Sequence, residues 1–347
     1  MQTLWFILVA FMLSMYVLLD GFDLGVGVIH LSVGKTNAER TTVLRTIGPV
    51  WDGNEVWLIA SGGVLFFTFP LLYASSFSGF YLPLFIVLWL LMLRGVSIEL
   101  RGHINNPVWA AFWDGGFFLG SALLAIFYGA ALANVVRGVP LSREGYFFEP
   151  LWTDFNPFGR VTGILDWYTL LIGLLALAAL TAHGANWVAL KTEGIVNGRA
   201  QRISRRAWLA TVVLTALGTI ATFAIRPAML GHVGARPWGV VFPALALGGL
   251  VGMGYYSYKR VDRAAFTASG AYLVGMLAST AFGLYPALLP SSIPGHTLTV
   301  QNASGSHYGQ SVGLVWWCIV MVLAAIYVVL TYRLFRGKVR LADDEGY

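Results

Sequence analysis

The sequence predicts an all-α polytopic membrane protein with nine transmembrane helices, and three observations carry that prediction. Its composition is 57% hydrophobic and only 11% charged, with a mean hydropathy of +0.71, so most of its surface is made for hydrocarbon. Long apolar segments recur along the whole chain. The basic residues fall in short runs between alternate segments, which is how positive charge marks the cytoplasmic side of a membrane. The excess of 22 Lys and Arg over 16 Asp and Glu therefore forms no single patch for nucleic acid, and that partner class is excluded.

The apolar segments lie at about residues 3–25, 52–73, 78–99, 112–135, 164–187, 207–227, 238–258, 266–288 and 312–333. Each can cross a core of roughly 30 Å at about 1.5 Å per residue. Backbone groups in hydrocarbon must be satisfied internally, so each segment is a helix. The first, from Leu4 to about Leu19, lacks a basic leader and runs into Asp20-Gly21-Phe22-Asp23 rather than a small-residue cleavage site, so it reads as a retained span. The glycines Gly21 and Gly25 in span one, and Gly248 and Gly252 in span seven, are spaced for close helix contact. Cys318 lies in the ninth span and has no second cysteine to pair with.

The chain reads as a single integral-membrane domain over residues 1–347. Residues 1–135 form a first four-helix bundle, 136–163 an external loop rich in Pro and aromatics, and 164–347 five further helices and a tail. The segment from Pro286 to Gly309 reads as exposed coil. One set of loops, with the tail, holds sixteen basic residues, from Lys35 to Arg340, and Arg94 in the inner half of span three is a seventeenth. The opposite set holds Arg137, Arg143, Arg160, Arg226 and Arg236. With nine spans this puts the amino terminus outside and the carboxyl terminus in the cytoplasm.

The informative residues are charges where lipid is expected. Asp20 and Asp23 are three apart on neighbouring parts of one helical face. Asp52 and Glu55 repeat that spacing at the start of span two, within Trp51-Asp52-Gly53-Asn54-Glu55-Val56-Trp57. An ionised carboxylate facing lipid is expensive, so these groups are expected to face the bundle interior, an aqueous recess or a partner. Carboxylic acids suit proton relay there, and Trp57, one turn inside Asp52, is a candidate wall for such a path. The competing reading is that the four acids sit near the headgroups, where charge costs little. Arg94 is a candidate compensating charge, while Arg101 and His103 are expected to face water. Asp114, Asp166, His30 and His183 are further polar groups at membrane level. No His-x-x-His or Glu-x-x-His pair occurs, so no metal or haem is expected in this chain.

Three strings carry a resemblance: Asp20-Gly21-Phe22-Asp23-Leu24-Gly25-Val26-Gly27, Gly48-Pro49-Val50-Trp51-Asp52-Gly53-Asn54-Glu55-Val56-Trp57, and Phe77-Ser78-Gly79-Phe80-Tyr81 followed by Arg94. In this order they resemble subunit II of the cytochrome bd-type quinol oxidases, with a looser likeness through Asn156-Pro157-Phe158-Gly159 and Tyr285-Pro286. The resemblance implies two four-helix bundles plus one peripheral helix in a prokaryotic inner membrane. It implies an obligate partner, subunit I, carrying two haems b and haem d, and leaves room for a small accessory subunit. The complex would oxidise quinol and reduce oxygen to water, with this chain non-catalytic alone. Asp20 and Asp52 match the family's proton-pathway motifs, so the resemblance gives them relay roles, Asp23 and Glu55 tuning or entrance roles, and Arg94 a compensating charge. The resemblance leaves room for a structural quinone, held in this subunit by some family members, or a bound lipid, and no motif here marks either site. Two other functions fit the same intramembrane acids: a proton-coupled secondary transporter and a purely structural assembly subunit.

Overall fold

The computed structural model describes residues 1–159 and 162–339. Arg160 and Arg340, both part of the charge pattern, lie outside the described residues.

Helix α1 (Gln2–Val33) runs beyond the predicted residue 25, because no proline or cap interrupts it before Gly34. A short helix not anticipated from hydropathy, α2 (Asn37–Arg45), follows. It is started by a capping box in which the Thr36 hydroxyl accepts from the Glu39 amide and the Glu39 carboxylate accepts from the Thr36 amide. The predicted span 52–73 is divided into α3 (Trp51–Thr68) and α4 (Pro70–Gly79). Pro70 has no amide to donate and disfavours helical geometry at the residue before it, so Phe69 leaves the helix at φ −131°, ψ 64°. Next come α5 (Tyr81–Leu100) and α6 (Pro107–Arg137), the latter opened by Asn106, whose side chain accepts from the Val108 and Trp109 amides. Helix α7 (Trp167–Lys191) is followed by α8 (Gly194–Ile225), which takes the basic run Arg199 to Arg206 into its first turns. A short α9 (Ala228–Ala235) and a 3-10 turn lead to α10 (Val241–Lys259), α11 (Asp262–Leu284) and α12 (His307–Leu334).

Among the described residues, eight helical segments are long and apolar enough to cross a membrane. They are α1, α5, α6, α7, α8, Pro237–Lys259, α11 and α12. The chain is an all-α polytopic membrane protein. Helix α3, with Asp52, Asn54 and Glu55 in its first turns, is the predicted span outside that set.

Helix α1 is the hub, packing on α2, α3, α6, α7, α8 and α11. Lipid is as apolar as leucine, so close backbone approach rather than escape from water must hold such helices together. Glycines provide it. A Cβ on Gly25 would lie 2.8 Å from the Gly184 backbone of α7, and one on Gly120 of α6 would meet the Leu90 carbonyl of α5 at 3.2 Å. In span seven the spacing expected from Gly248 is corrected: Gly248 faces open space, while its neighbour Gly249 lies against the α11 backbone.

The expectation of plain coil between Pro286 and Gly309 is also corrected. Strands β1 (Ala287–Leu289) and β2 (Leu298–Thr299) pair antiparallel. Leu289, Leu298, Val300 and Ala303 bury themselves with Trp5 and Val9 of α1 and Phe69. The segment's polar residues satisfy its own turns, which is why its composition looked like that of exposed coil: Asn302 accepts from the Thr299 amide at 2.7 Å. Helix α12 packs on α3, and Gln310 is its one buried residue.

Candidate functional site

Helix α1 brings Asp20 and Asp23 into the interior, both fully buried. Arg94, fully buried on α5, is held against them because α5 approaches α6 closely at Gly120. Its guanidinium grips Asp20 with two parallel bonds, Nη1 to Oδ2 at 2.9 Å and Nη2 to Oδ1 at 2.7 Å. Nη2 also donates to Glu55 Oε2 at 3.0 Å. Glu55 is 22% exposed, so it is the member of this group that reaches the surface of the chain. One turn along α1, Asp23 Oδ2 accepts from Asn54 Nδ2 at 2.7 Å, and Asn54 Oδ1 accepts from the Tyr332 hydroxyl of α12 at 3.0 Å. Among the described residues, Asp23 Oδ1 and Arg94 Nε are buried without a hydrogen-bond partner. Two carboxyl groups thus bond one guanidinium, and a third, Asp23, lies one turn away and bonds Asn54.

The structure therefore brings together Asp20, Arg94 and Glu55, with Asp23 beside them. It does not bring Asp52 into the same hydrogen-bonded group. The buried residues of α3 are Asn54, Trp57, Ser61 and Thr68, a stripe at helical spacing. Asp52 is two residues, or about 200°, from Asn54, and it lies exposed on the other side of the helix. Trp57 is buried among Met12, Tyr16 and Leu19 of α1, next to the acidic turn. Asn54, which does not titrate, ranks below the four acids in the sequence, and Tyr332 is the participant that the sequence reading missed. The stripe on α3 would have found Asn54, whereas nothing in the sequence links Tyr332 to it.

A second buried cluster lies at the end of α1 that carries His30. Asp114 of α6 receives His30 Nε2 at 2.6 Å, Arg101 Nε at 2.5 Å and Arg40 Nη1 at 3.0 Å. Arg101 was expected in water. It is instead 7% exposed, because Asp114, Thr41 and Asn37 surround it with acceptors from two other helices. His103, by contrast, is exposed.

A third cluster closes the opposite end. Arg137 binds Asp166, the N-cap of α7, and both oxygens of Glu149 at 2.8 and 2.9 Å. Asn134 Oδ1 and the Gly163 carbonyl complete its partners. Burial pushes the Glu149 carboxyl above its ordinary range, and the Arg137 guanidinium only partly offsets it. Both nitrogens of His183 are engaged, one with Ser269 and one with the Leu18 carbonyl. Among the described residues, no group of three or more His, Cys, Asp or Glu side chains could hold a metal ion.

Comparison with known proteins puts this arrangement in a family context. The model of the family described as cytochrome bd terminal oxidase subunit II matches residues 1–335. The chain is 31% identical to a probable cytochrome oxidase subunit 2 of Haemophilus influenzae, over 97% of this chain and 95% of that one. It is 30% identical to the cytochrome bd ubiquinol oxidase subunit 2 of Bacillus subtilis, over 100% of this chain and 99% of that one. The bd oxidase structure from Geobacillus thermodenitrificans contains a chain of the same fold, with TM-score 0.74 and 17% identity, covering 96% of this chain and 98% of that one.

Proposed function

The chain belongs to the cytochrome bd terminal oxidase subunit II family, and on that premise we propose that it is the non-haem subunit of a membrane complex that oxidises quinol and reduces oxygen. In this reading subunit I carries the two haems b and haem d, and this chain stabilises it and supplies protons from the cytoplasm. It is not catalytic alone. Helix α3 is the ninth span, the amino terminus is outside and the carboxyl terminus cytoplasmic. Helices α1, α3, α5 and α6 form one four-helix bundle, α7, α8, α10 and α11 a second, and α12 is peripheral.

The observation that carries the proton reading is the surplus of buried carboxyl groups around Arg94. One guanidinium can neutralise one of the three, so the group has capacity for exchangeable protons that a balanced pair lacks. Asp52 collects protons on the exposed face of α3, Glu55 bridges the surface and the interior, and Asp20 and Asp23 hold protons on the buried side. Trp57 limits the path on the flank of α1. Each transfer needs only that a carboxyl oxygen accept a proton while another releases one, with Arg94 fixed in its charged state.

The test uses the intact complex. Asp52→Asn should leave haem content unchanged, slow quinol-dependent oxygen uptake and shift its pH dependence. Unchanged turnover at every pH would remove Asp52 from the path. The purely structural reading is favoured by one observation, the two-bond Asp20–Arg94 pair, whose geometry is that of a helix clamp. A complex without haem, whose activity is solute flux by this chain alone, would instead establish a transporter.

A further inference from the structure

The polar interior face of α1 does not end at Asp20. Tyr16 stands four residues before it, one turn nearer the amino terminus and on the same face of the helix. It is buried, as Asp20 and Asp23 are. Its hydroxyl donates to the Tyr128 hydroxyl oxygen of α6 at 2.8 Å, and the two rings meet edge to face with centroids 5.7 Å apart. Tyr128 is only half-buried, so the pair leads from the interior of the bundle to the surface of the chain.

A phenol hydroxyl both accepts and donates, so its oxygen can take up one proton while it releases another. The residues packed around Tyr16 lack that property: Met12 and Leu19 have no hydroxyl, and the Trp57 indole only donates. The pair is also directional. Tyr16 gives its hydrogen to Tyr128, and among the described residues no acceptor meets the Tyr128 hydrogen in turn.

The acid group lies within reach of both phenols. Asp20 and Arg94 act electrostatically on Tyr16, and the same two with Glu55 act on Tyr128. Arg94 Nε is a buried donor without a partner among the described residues. Such a donor is met by an internal water, which needs about two to four polar partners. Arg94 Nε, the Asp20 carboxylate and the Tyr16 oxygen are the polar groups at that level.

We propose that Tyr16 and Tyr128 carry protons onward from the Asp20 group to the surface of α6, with one internal water between Asp20 and Tyr16. The proposal rests on the proton-supply reading above and names the outlet that reading lacks. In each passage the Tyr16 oxygen takes a proton from the water as its own passes to Tyr128. Tyr128 releases its proton to a water or a carboxylate at the face of the partner subunit. One O–H bond forms and one breaks at each oxygen, and the water regains its proton from the acid group. Neither phenol is left charged, and Arg94 keeps its charge throughout.

The test uses the intact complex with Tyr16→Phe and Tyr128→Phe, which remove the hydroxyls and keep the rings, and with Asp20→Asn beside them. Haem content, anaerobic reduction of the haems by quinol, oxygen uptake in H2O and D2O, and melting temperature are measured on each. The proposal expects both tyrosine variants to load haem and accept electrons at the wild-type rate. Oxygen uptake should fall about tenfold, with a larger solvent isotope effect than in the wild type. If Tyr16→Phe does not assemble, the half-buried Tyr128→Phe decides the matter alone.

Slow uptake in Asp20→Asn with wild-type uptake in the tyrosine variants would overturn the outlet and leave the proton-supply reading standing. Wild-type uptake in all three would remove both. A lowered melting temperature with unchanged turnover and isotope effect would reduce the phenol pair to a fastener between α1 and α6, and that too would overturn the proposal.

Discussion

Two buried charge clusters on the same helix, barely two turns apart, are built to opposite balances. Around Arg94, two carboxyl groups bond one guanidinium and a third, Asp23, lies beside them with one oxygen that has no partner among the described residues. Around Asp114, one carboxylate is held by two guanidinium groups and an imidazole. Both clusters cross-link helices, and burial alone does not tell them apart. Their stoichiometry does. A carboxylate outnumbered by cations has every reason to stay ionised and act as a fastener, whereas carboxyls in surplus have an unbalanced charge that proton uptake can cancel. The cluster on Arg137 likewise places two acids on one guanidinium, with amide and carbonyl oxygens among its other partners.

The comparison is most easily broken at its one shared cation. Arg94→Met should leave Asp20 facing apolar packing without a counter-charge, costing about 3–5 kcal/mol. Loss of assembled complex, or a sharply lowered melting temperature, is the expected outcome; a complex of wild-type stability would mean that Asp20 is not ionised in the folded chain. Next in size is the exchange of roles between the two clusters. Asp114→Asn strands Arg40 and Arg101 and should destabilise by about 3 kcal/mol, yet leave turnover per haem and its pH profile unchanged. Asp20→Asn also weakens a buried pair, leaving Arg94 with Glu55, but in the assembled, haem-loaded complex it should in addition slow turnover about tenfold or more and move its pH profile. Equal kinetic effects from both would erase the distinction.

The smallest effect sharpens the third cluster. Glu149 has a folded-state value raised by burial, so the folded chain binds a proton that the unfolded chain has already released. Its contribution is full below the ordinary glutamate value of about 4.3 and is lost as pH rises through the raised value. Thermal midpoints should therefore drift downward as pH increases across that window, and Glu149→Gln should flatten the drift. An unchanged slope would assign the pH dependence to other groups.

Much of the membrane architecture is written in apolar run length, which is why the ranges on α1, α5, α6, α7, α10, α11 and α12 are found to within a few residues or a turn or two. Breaks are written too, when they depend on local chemistry: Pro70, with no amide to donate, ends α3, and the Thr36 and Glu39 spacing carries the hydrogen-bonded cap of α2. What hydropathy does not carry is pairing between helices. Arg101 looks like a loop residue until Asp114, thirteen positions later on α6, is seen beside it. Glu149 gives no sign that Arg137 has drawn it inside. Asp52 and Asp20 sit in equally distinctive strings, but the inward stripe of α3 passes through Asn54 and Trp57 and leaves Asp52 on the opposite side. Motif and exposure answer different questions.

Helix α1 is one uninterrupted rod that touches an apolar core through Trp5, the acid group through Asp20 and Asp23, and the Asp114 cluster through His30. It behaves as a shaft with three cams. Removing a single residue between Asp23 and His30 would turn one end about 100° against the other and shorten it by about 1.5 Å. No side-chain substitution could then restore both engagements at once. The phase between those positions, rather than the identity of any one of them, is what this helix has least freedom to change.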